Sequence, residues 1–325
     1  MNFSYEEVRQ AYERIHPYIR RTPLEESFYL GDGKRNYFFK LESCQRAKSF
    51  KIRGALNKMM TLTDEEKQKG VATISSGNHG SSVSYAASLL GIENAKVIVP
   101  ETTPKSKVDK IRYFGAEVML MGKNYDEAHA LGMAYIQEHG MAYIDAYYDD
   151  PKIYGGQGTI AIELFEQNPA LDTIVVPIGG GGLITGIAVA AKAIKPSVRI
   201  VGVQTEACPA MIKSYEDGKF YAEYPCEDSL CDSLVGGIGA LSYAMAKDYV
   251  DDFIAVSEET IAKAVSFMAR EEKYIVEAGS CTTVAAVMDD RERVGGENIA
   301  LVLSGGNIDG DVLYRLMRNT DYNIK

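Results

Sequence analysis

Short apolar runs recur along the chain: VATIS (71–75), AKVIVP (95–100), AEVMLM (116–121), TIVVPI (173–178), VRIVGV (198–203) and NIALVLS (298–304). Runs of this length, rich in β-branched residues and lacking polar alternation, predict strands buried on both faces, and a further strand is expected near 142. Between them lie helix-length segments at 80–91, 105–114, 124–139, 158–168, 183–195 and 259–272. The chain opens with Val8, Ala11, Tyr12 and Ile15 at helical spacing and then Pro17, which predicts a leading amphipathic helix over 4–16. Strand and helix in alternation imply an α/β fold of open, mostly parallel twisted sheets with helices on both faces. The strands near 71, 95, 116 and 142 form a compact group, and those from 173 onward form another. This predicts a small inserted lobe over 70–148 and a large lobe built from 1–69 and 149–325. No repeat of 20 to 50 residues and no low-complexity tract interrupts the pattern.

Composition narrows the class of partner. A chain of 325 residues, 46% of them hydrophobic, is long enough for a large core. The formal charge of −10 argues against nucleic acid or an anionic membrane and for a small-molecule client. The five cysteines (Cys44, Cys208, Cys226, Cys231 and Cys281) form no C-x-x-C pair and have no partnering histidine spacing, so neither a zinc site nor a disulfide framework is expected. The N-terminal stretch is not of signal-peptide type, and no apolar run approaches the roughly 20 residues that span a bilayer. A reducing, cytoplasmic location is therefore expected.

Three glycine-containing loops follow strands. In TIVVPIGGGGLITGIAVAAKAI an apolar strand passes through Gly179, Gly180, Gly181 and Gly182 into a helix. Backbone amides at a helix N-terminus suit an anion, most simply a phosphate, although a tight strand-to-helix turn would use the same glycines. Gly180-x-Gly182-x-x-x-Gly186, with Glu206 near the end of the next strand, is a loose dinucleotide fingerprint and keeps a nicotinamide-dependent oxidoreductase as an alternative. Ser75-Ser76-Gly77-Asn78-His79-Gly80 offers hydroxyls, an amide, an imidazole and backbone N–H groups suited to a carboxylate. Ser304-Gly305-Gly306-Asn307 follows the last strand. In open parallel sheets ligands gather outside the C-terminal strand edge, so the three loops can face one crevice. In AKSFKIRGA (47–55), Lys51 would reach a surface in the ordinary case; held in an apolar setting it becomes nucleophilic enough to form a Schiff base with an aldehyde. Phe50 would stack on a cofactor ring or pack in the core.

R-T-P-L (21–24), K-S-F-K-I-R-G-A (48–55), S-S-G-N-H-G, G-G-Q-G-T-I (155–160), G-G-G-G-L and S-G-G-N stand in one order over nearly the whole chain. In this the sequence resembles the fold-type II pyridoxal-phosphate enzymes, tryptophan synthase β-like in fold, and within them the threonine dehydratases, serine dehydratases and serine racemases. The resemblance implies Lys51 as the Schiff-base lysine and base at Cα, with Phe50 beside the pyridine ring. It implies Gly179 to Gly182 at the cofactor phosphate, Asn78 at the ring's 3-oxygen, Ser304 at the pyridine nitrogen, and Gly237, Glu277 and Gly305 on the cofactor side. Ser75, Ser76, Asn78 and His79 would cradle the substrate carboxylate, and Ser76 stands where the racemases carry a second acid/base. A serine at the pyridine nitrogen leaves the ring a weaker electron sink than a carboxylate would, which suits prompt loss of a β-leaving group.

Two departures qualify the likeness. The A-D-G acid of the dehydratases and racemases is replaced in D-S-L-V-G-G-I-G (232–239) by Gly236, a pattern similar to the hydroxyectoine-utilisation dehydratases. Gln204 and Ala210 stand where the racemases' divalent-cation carboxylates are expected, so no metal is predicted there. The expected activity is β-elimination of a β-hydroxy amino acid to a 2-oxo acid and ammonia, in a homodimer that uses pyridoxal 5'-phosphate. The alternatives are a racemase using Lys51 and Ser76 as two bases, the nicotinamide oxidoreductase, and a non-catalytic amino-acid sensor.

Overall fold

The computed structural model describes residues 3–146 and 149–320. Helix α1 (Tyr5–Ile15) precedes strands β1 (Leu24–Glu26) and β2 (Asn36–Leu41) and helices α2 (Lys51–Met60) and α3 (Asp64–Lys69). The chain then runs β3 (Val71–Ile74), α4 (Asn78–Leu89), β4 (Ala95–Val99), α5 (Lys105–Tyr113), β5 (Glu117–Leu120), α6 (Tyr125–Glu138) and β6 (Ala142–Tyr143). It continues through α7 (Pro151–Gln167), β7 (Thr173–Pro177), α8 (Gly182–Ile194), β8 (Arg199–Thr205), α9 (Ala210–Glu216) and α10 (Ala240–Tyr249). The last elements are β9 (Asp252–Val256), α11 (Glu258–Arg270), α12 (Ala278–Val294), β10 (Asn298–Leu303) and α13 (Gly310–Asn319).

Two sheets result. One has the order β5-β4-β3-β6 with every pairing parallel; the other has the order β1-β2-β10-β7-β8-β9, in which only β1 runs antiparallel. Each predicted strand is present. Strands β1, β2 and β9 add to them, and the pattern hid these for a physical reason. β2 (NYFFKL) carries a fully buried lysine, Lys40, inside an apolar run, and β9 opens on an acidic residue.

The α7 helix begins at Pro151, seven residues before the expected start, and so takes in Gly155, Gly156 and Gly158. These glycines are points of close helix approach. A Cβ at Gly156 would lie 2.3 Å from the Arg53 carbonyl of α2, and one at Gly158 would lie 2.5 Å from the Gly186 carbonyl of α8. Three helices thus meet on bare backbone, and α2 is pressed firmly against its neighbours.

A buried ionic cluster completes the seat of α2. Arg53 donates to Glu42 through Nε and Nη2 at 2.8 Å each, and to Glu163 through Nη1 and Nη2 at 2.7 and 2.9 Å. Lys40 Nζ donates to Glu163 at 2.6 Å and to Gln167 and the Thr22 carbonyl at 2.8 Å each. All four charged groups are buried, and two cations balance two carboxylates, the condition under which buried charge is tolerated. Arg53 stands two residues after Lys51, so the cluster holds the first turn of the helix that carries that lysine.

One expectation about cysteine fails. Cys208 and Cys226 are joined by a disulfide, with Cα atoms 4.8 Å apart. Eighteen residues separate them in sequence, and only the fold brings them together. The segment leaving β8 is met by the returning chain, where the Glu227 amide donates to the Ala207 carbonyl at 2.9 Å. Cys44, Cys231 and Cys281 remain free thiols.

Candidate active site

The C-terminal ends of strands from both sheets open onto a cavity of about 1440 Å³. Its lining includes Phe50, Lys51, Ser75, Ser76, Asn78, His79, the glycines 179–182, Gly237, Glu277 and Ser304. All three predicted loops therefore face one crevice. Gly305 does not line it; a Cβ there would lie 2.7 Å from a Glu277 carboxylate oxygen, so this glycine allows Glu277 to pack against the loop.

Lys51 is the first residue of α2 and is half-buried, with Nζ 3.2 Å from the Ala146 carbonyl and 5.3 Å from the centre of the Phe50 ring. Burial draws its pKa down to about 8, against the opposing pull of Asp145 and Glu277. The positive end of the helix dipole acts in the same direction as burial. The result is an amine with a substantial neutral fraction near pH 8. Ser304 follows β10 and lines the same cavity as Lys51. Its hydroxyl lies 3.1 Å from that of Ser280, which itself exchanges two hydrogen bonds of 2.7 Å with the Gly305 backbone.

Two helix N-termini also point into the cavity. At α8, Gly181 adopts a left-handed conformation (φ 95°), and a Cβ on it would lie 2.6 Å from that of Ser242. A Cβ on Gly182 would lie 2.9 Å from the Tyr154 ring, which is held by a 2.9 Å bond from Ser242 to its hydroxyl. The outer side of the loop is thus filled by protein. Among the described residues no acceptor takes the amides of Gly179, Gly180 or Gly181, which leaves these donors for an anion. The carbonyl of Gly180 is tied back by the Gly239 amide at 2.9 Å.

At α4, Gly77 caps a helix whose first residues are Asn78 and His79. The His79 imidazole is buried, and its Nε2 bonds the Ile144 carbonyl at 2.9 Å. Burial, followed by the charge of Lys51, draws its pKa down to about 4, so the ring is neutral and donates from Nε2. What His79 retains for a carboxylate at this end is its backbone amide. Asn78 donates to both oxygens of Glu277, at 2.8 and 3.0 Å, and burial raises the pKa of that carboxylate.

Several residues were not singled out as site residues in the sequence. Gln157 lines the cavity, is almost wholly buried, and leaves its side-chain oxygen without a partner among the described residues. Lys107, Lys110, Asp232 and Asn307 also line it. Asn307 was visible as the last letter of S-G-G-N. Lys110 had no signal, since a lysine in a helix is normally a solvated group. The dinucleotide alternative fails on geometry. Gly186 is the point where α8 crosses α7, a Cβ there meeting the Tyr154 carbonyl at 2.4 Å, and Glu206 is exposed and lies outside the lining.

The residues present fit a phosphorylated aldehyde cofactor: a cradle of bare amides whose outer side is packed so closely against Ser242 and Tyr154 that only glycine fits, and an amine of lowered pKa in the same cavity. Comparison with known proteins agrees. The profile of a family described as pyridoxal-phosphate dependent enzyme matches residues 15–305. An L-threonine ammonia-lyase of Thermotoga maritima is 38% identical over 96% of this chain and 77% of its own length. A catabolic L-threonine dehydratase of Staphylococcus aureus is also 38% identical, over 93% of this chain and 88% of its own. The structure of maize serine racemase superposes with a TM-score of 0.91 at 35% identity, covering 98% of both chains.

Proposed function

The chain belongs to the pyridoxal-phosphate-dependent enzymes, and from that premise we propose that it is an ammonia-lyase acting on a β-hydroxy amino acid. Loss of the Cα proton and the Cβ hydroxide, followed by hydrolysis of the released enamine, gives a 2-oxo acid and ammonia. The pairing of Lys51 with the bare-amide loop in one cavity is the observation that carries this reading. When bound, the cofactor supplies an aldehyde for the substrate amine and a ring that accepts the electron pair left at Cα.

The remaining work falls to the protein's own groups. The amides of Gly179 to Gly182 and the α8 dipole hold the phosphate. The N-terminal turn of α4, with Ser75 and Ser76, holds the substrate carboxylate. Lys51, near neutrality at pH 8, takes the Cα proton. Ser304 meets the ring nitrogen with a neutral hydroxyl, and Asn78 meets the ring oxygen. Screening amino acids for release of ammonia and a 2-oxo acid by the holoenzyme tests the reading; release from L-threonine or L-serine is expected, and no release from any β-hydroxy amino acid would overturn it.

A second activity, racemisation, is supported by Ser76, which lines the cavity together with Lys51, and by the likeness to maize serine racemase. The domain division we propose has a small lobe over 70–148 that carries the four-stranded sheet, and a large lobe formed by the remainder. We propose a homodimer, with the exposed side chains of Phe28, Ile275 and Tyr314 as its candidate contacts. We place the protein in the cytoplasm; no helix among the described residues is long and apolar enough to cross a membrane.

A further inference from the structure

Four cavity-lining side chains from four parts of the fold form a hydrogen-bonded chain: Lys110 on α5, Asn307 after β10, Asn78 at the start of α4, and Glu277 at the cap of α12. Lys110 Nζ donates to the Asn307 side-chain oxygen. An ammonium has donors only, so this contact fixes which end of the Asn307 amide faces α5. The amide nitrogen must then face the other way. There it donates to the Ala47 carbonyl at 3.1 Å and to the Asn78 side-chain oxygen.

Asn78 is oriented in turn. Its oxygen accepts from Asn307, and its nitrogen donates to Glu277 at 2.8 and 3.0 Å. Glu277 also accepts the Asn307 backbone amide at 3.2 Å. A carboxylate has acceptors only, so the chain has a cation at one end, a carboxylate at the other, and two amides that can each face one way. Reversing either amide would set oxygen against oxygen. Such directional chains polarise one another and are costly when one member is turned.

The two oxygens of one carboxylate subtend a narrower angle at the Asn78 nitrogen than its two N–H bonds do. One hydrogen therefore serves Glu277, and the second stays available to the cavity. We propose that Lys110 and Asn307 are positioning residues that decide which end of Asn78 is presented to the cofactor, and keep it a donor toward the ring oxygen. The inference rests on the reading that this cavity holds pyridoxal phosphate.

Titrating apo-protein with pyridoxal phosphate, and recording the absorption spectrum of each holo-protein, tests it without reference to any substrate. Asn307→Asp is nearly isosteric but offers only acceptors, so it should weaken cofactor binding by tenfold or more and shift the visible band. Asn307→Ala, which leaves a gap and no opposing oxygen, should do less. Lys110→Met removes the orienting donor and should weaken binding severalfold, whereas Lys110→Gln keeps a donor and should restore most of it. A role in packing alone would make Asn307→Ala the worse of its pair and the two Lys110 variants alike, and either result overturns the inference. Should Asn307→Asp fail to fold, the Lys110 pair decides alone. A wild-type protein that takes up no pyridoxal phosphate overturns the cofactor reading and this inference together; normal uptake with indistinguishable Lys110 variants overturns this inference only.

Discussion

The carbonyl of Ser304 accepts the amide of Phe50 at 2.9 Å, so the end of the last strand holds the residue before Lys51. Ser49 and Gly305 form an antiparallel bridge beside it, and the Gly306 amide donates to the Lys48 carbonyl at 2.8 Å. Lys48 adopts φ 62°, a left-handed conformation that is uncommon away from glycine and that these contacts sustain. The lysine and the serine expected at opposite parts of the cofactor ring are therefore carried on two segments tied backbone to backbone.

Lys51→Ala should bind pyridoxal phosphate without turnover, and borohydride treatment of the wild-type holo-protein should fix the cofactor on the peptide containing Lys51. In the apo-protein the depressed pKa carries a sign that can be checked. Between about 8 and the ordinary lysine value of 10.5 the unfolded chain binds more protons than the folded one, so this group's contribution to stability rises with pH across that window. Selective isotope labelling of lysine and NMR titration should find one resonance titrating near 8; titration of Lys51 with the bulk of the lysines would contradict the site's electrostatics.

Gly181→Ala must adopt a left-handed conformation, costing roughly 1–2 kcal/mol, and must also displace Ser242. Cofactor affinity should fall by tenfold or more. Gly218→Ala is the control, since it shares a positive φ of 61° but meets nothing within 4 Å and lies away from the cavity. Equal effects of the two on cofactor titration would show that the cradle does not bind the phosphate.

Arg53→Met leaves Glu42 and Glu163 without their principal cation in a dry interior. A loss of about 3–5 kcal/mol in unfolding free energy is expected from such half-removed pairs. Denaturant unfolding of the apo-protein reads it directly; a loss below about 1 kcal/mol would mean that water or a rearranged Lys40 compensates both carboxylates.

Ser76→Ala should keep most elimination from the L-substrate while abolishing L-to-D conversion, because elimination needs a base on one face of Cα and racemisation needs an acid on the other. Following both reactions with one substrate in deuterated water decides the matter. Collapse of elimination alongside racemisation would make Ser76 a binding residue.

Peptide mapping without reductant should recover Cys208 linked to Cys226. In the chain-entropy view, a loop of this length stabilises the fold by about 3 kcal/mol, so dithiothreitol should lower the thermal midpoint of the wild type and leave that of Cys226→Ser unchanged. A midpoint insensitive to reductant in both proteins would argue that the thiols do not pair in solution.

The sequence alone determined the alternation of strand and helix, because buried parallel strands leave unbroken β-branched runs that need no partner to be recognised. It also showed the three loops and their order, since glycines at strand ends are local signals. Tertiary structure decided the rest. That α7 starts at Pro151 and carries G-G-Q-G within it depends on α1, α2 and α8 arriving at Gly155, Gly156 and Gly158. That Lys40 belongs to a strand depends on Glu163 neutralising it from another helix. The His79 imidazole lies beside the Ile144 carbonyl, Gly305 packs beneath Glu277, and Cys208 meets Cys226, none of which a local pattern encodes. Periodicity reports which face of an element is buried; which group lies opposite it is set by packing between segments far apart in the chain, as it is for Lys110 and Asn307.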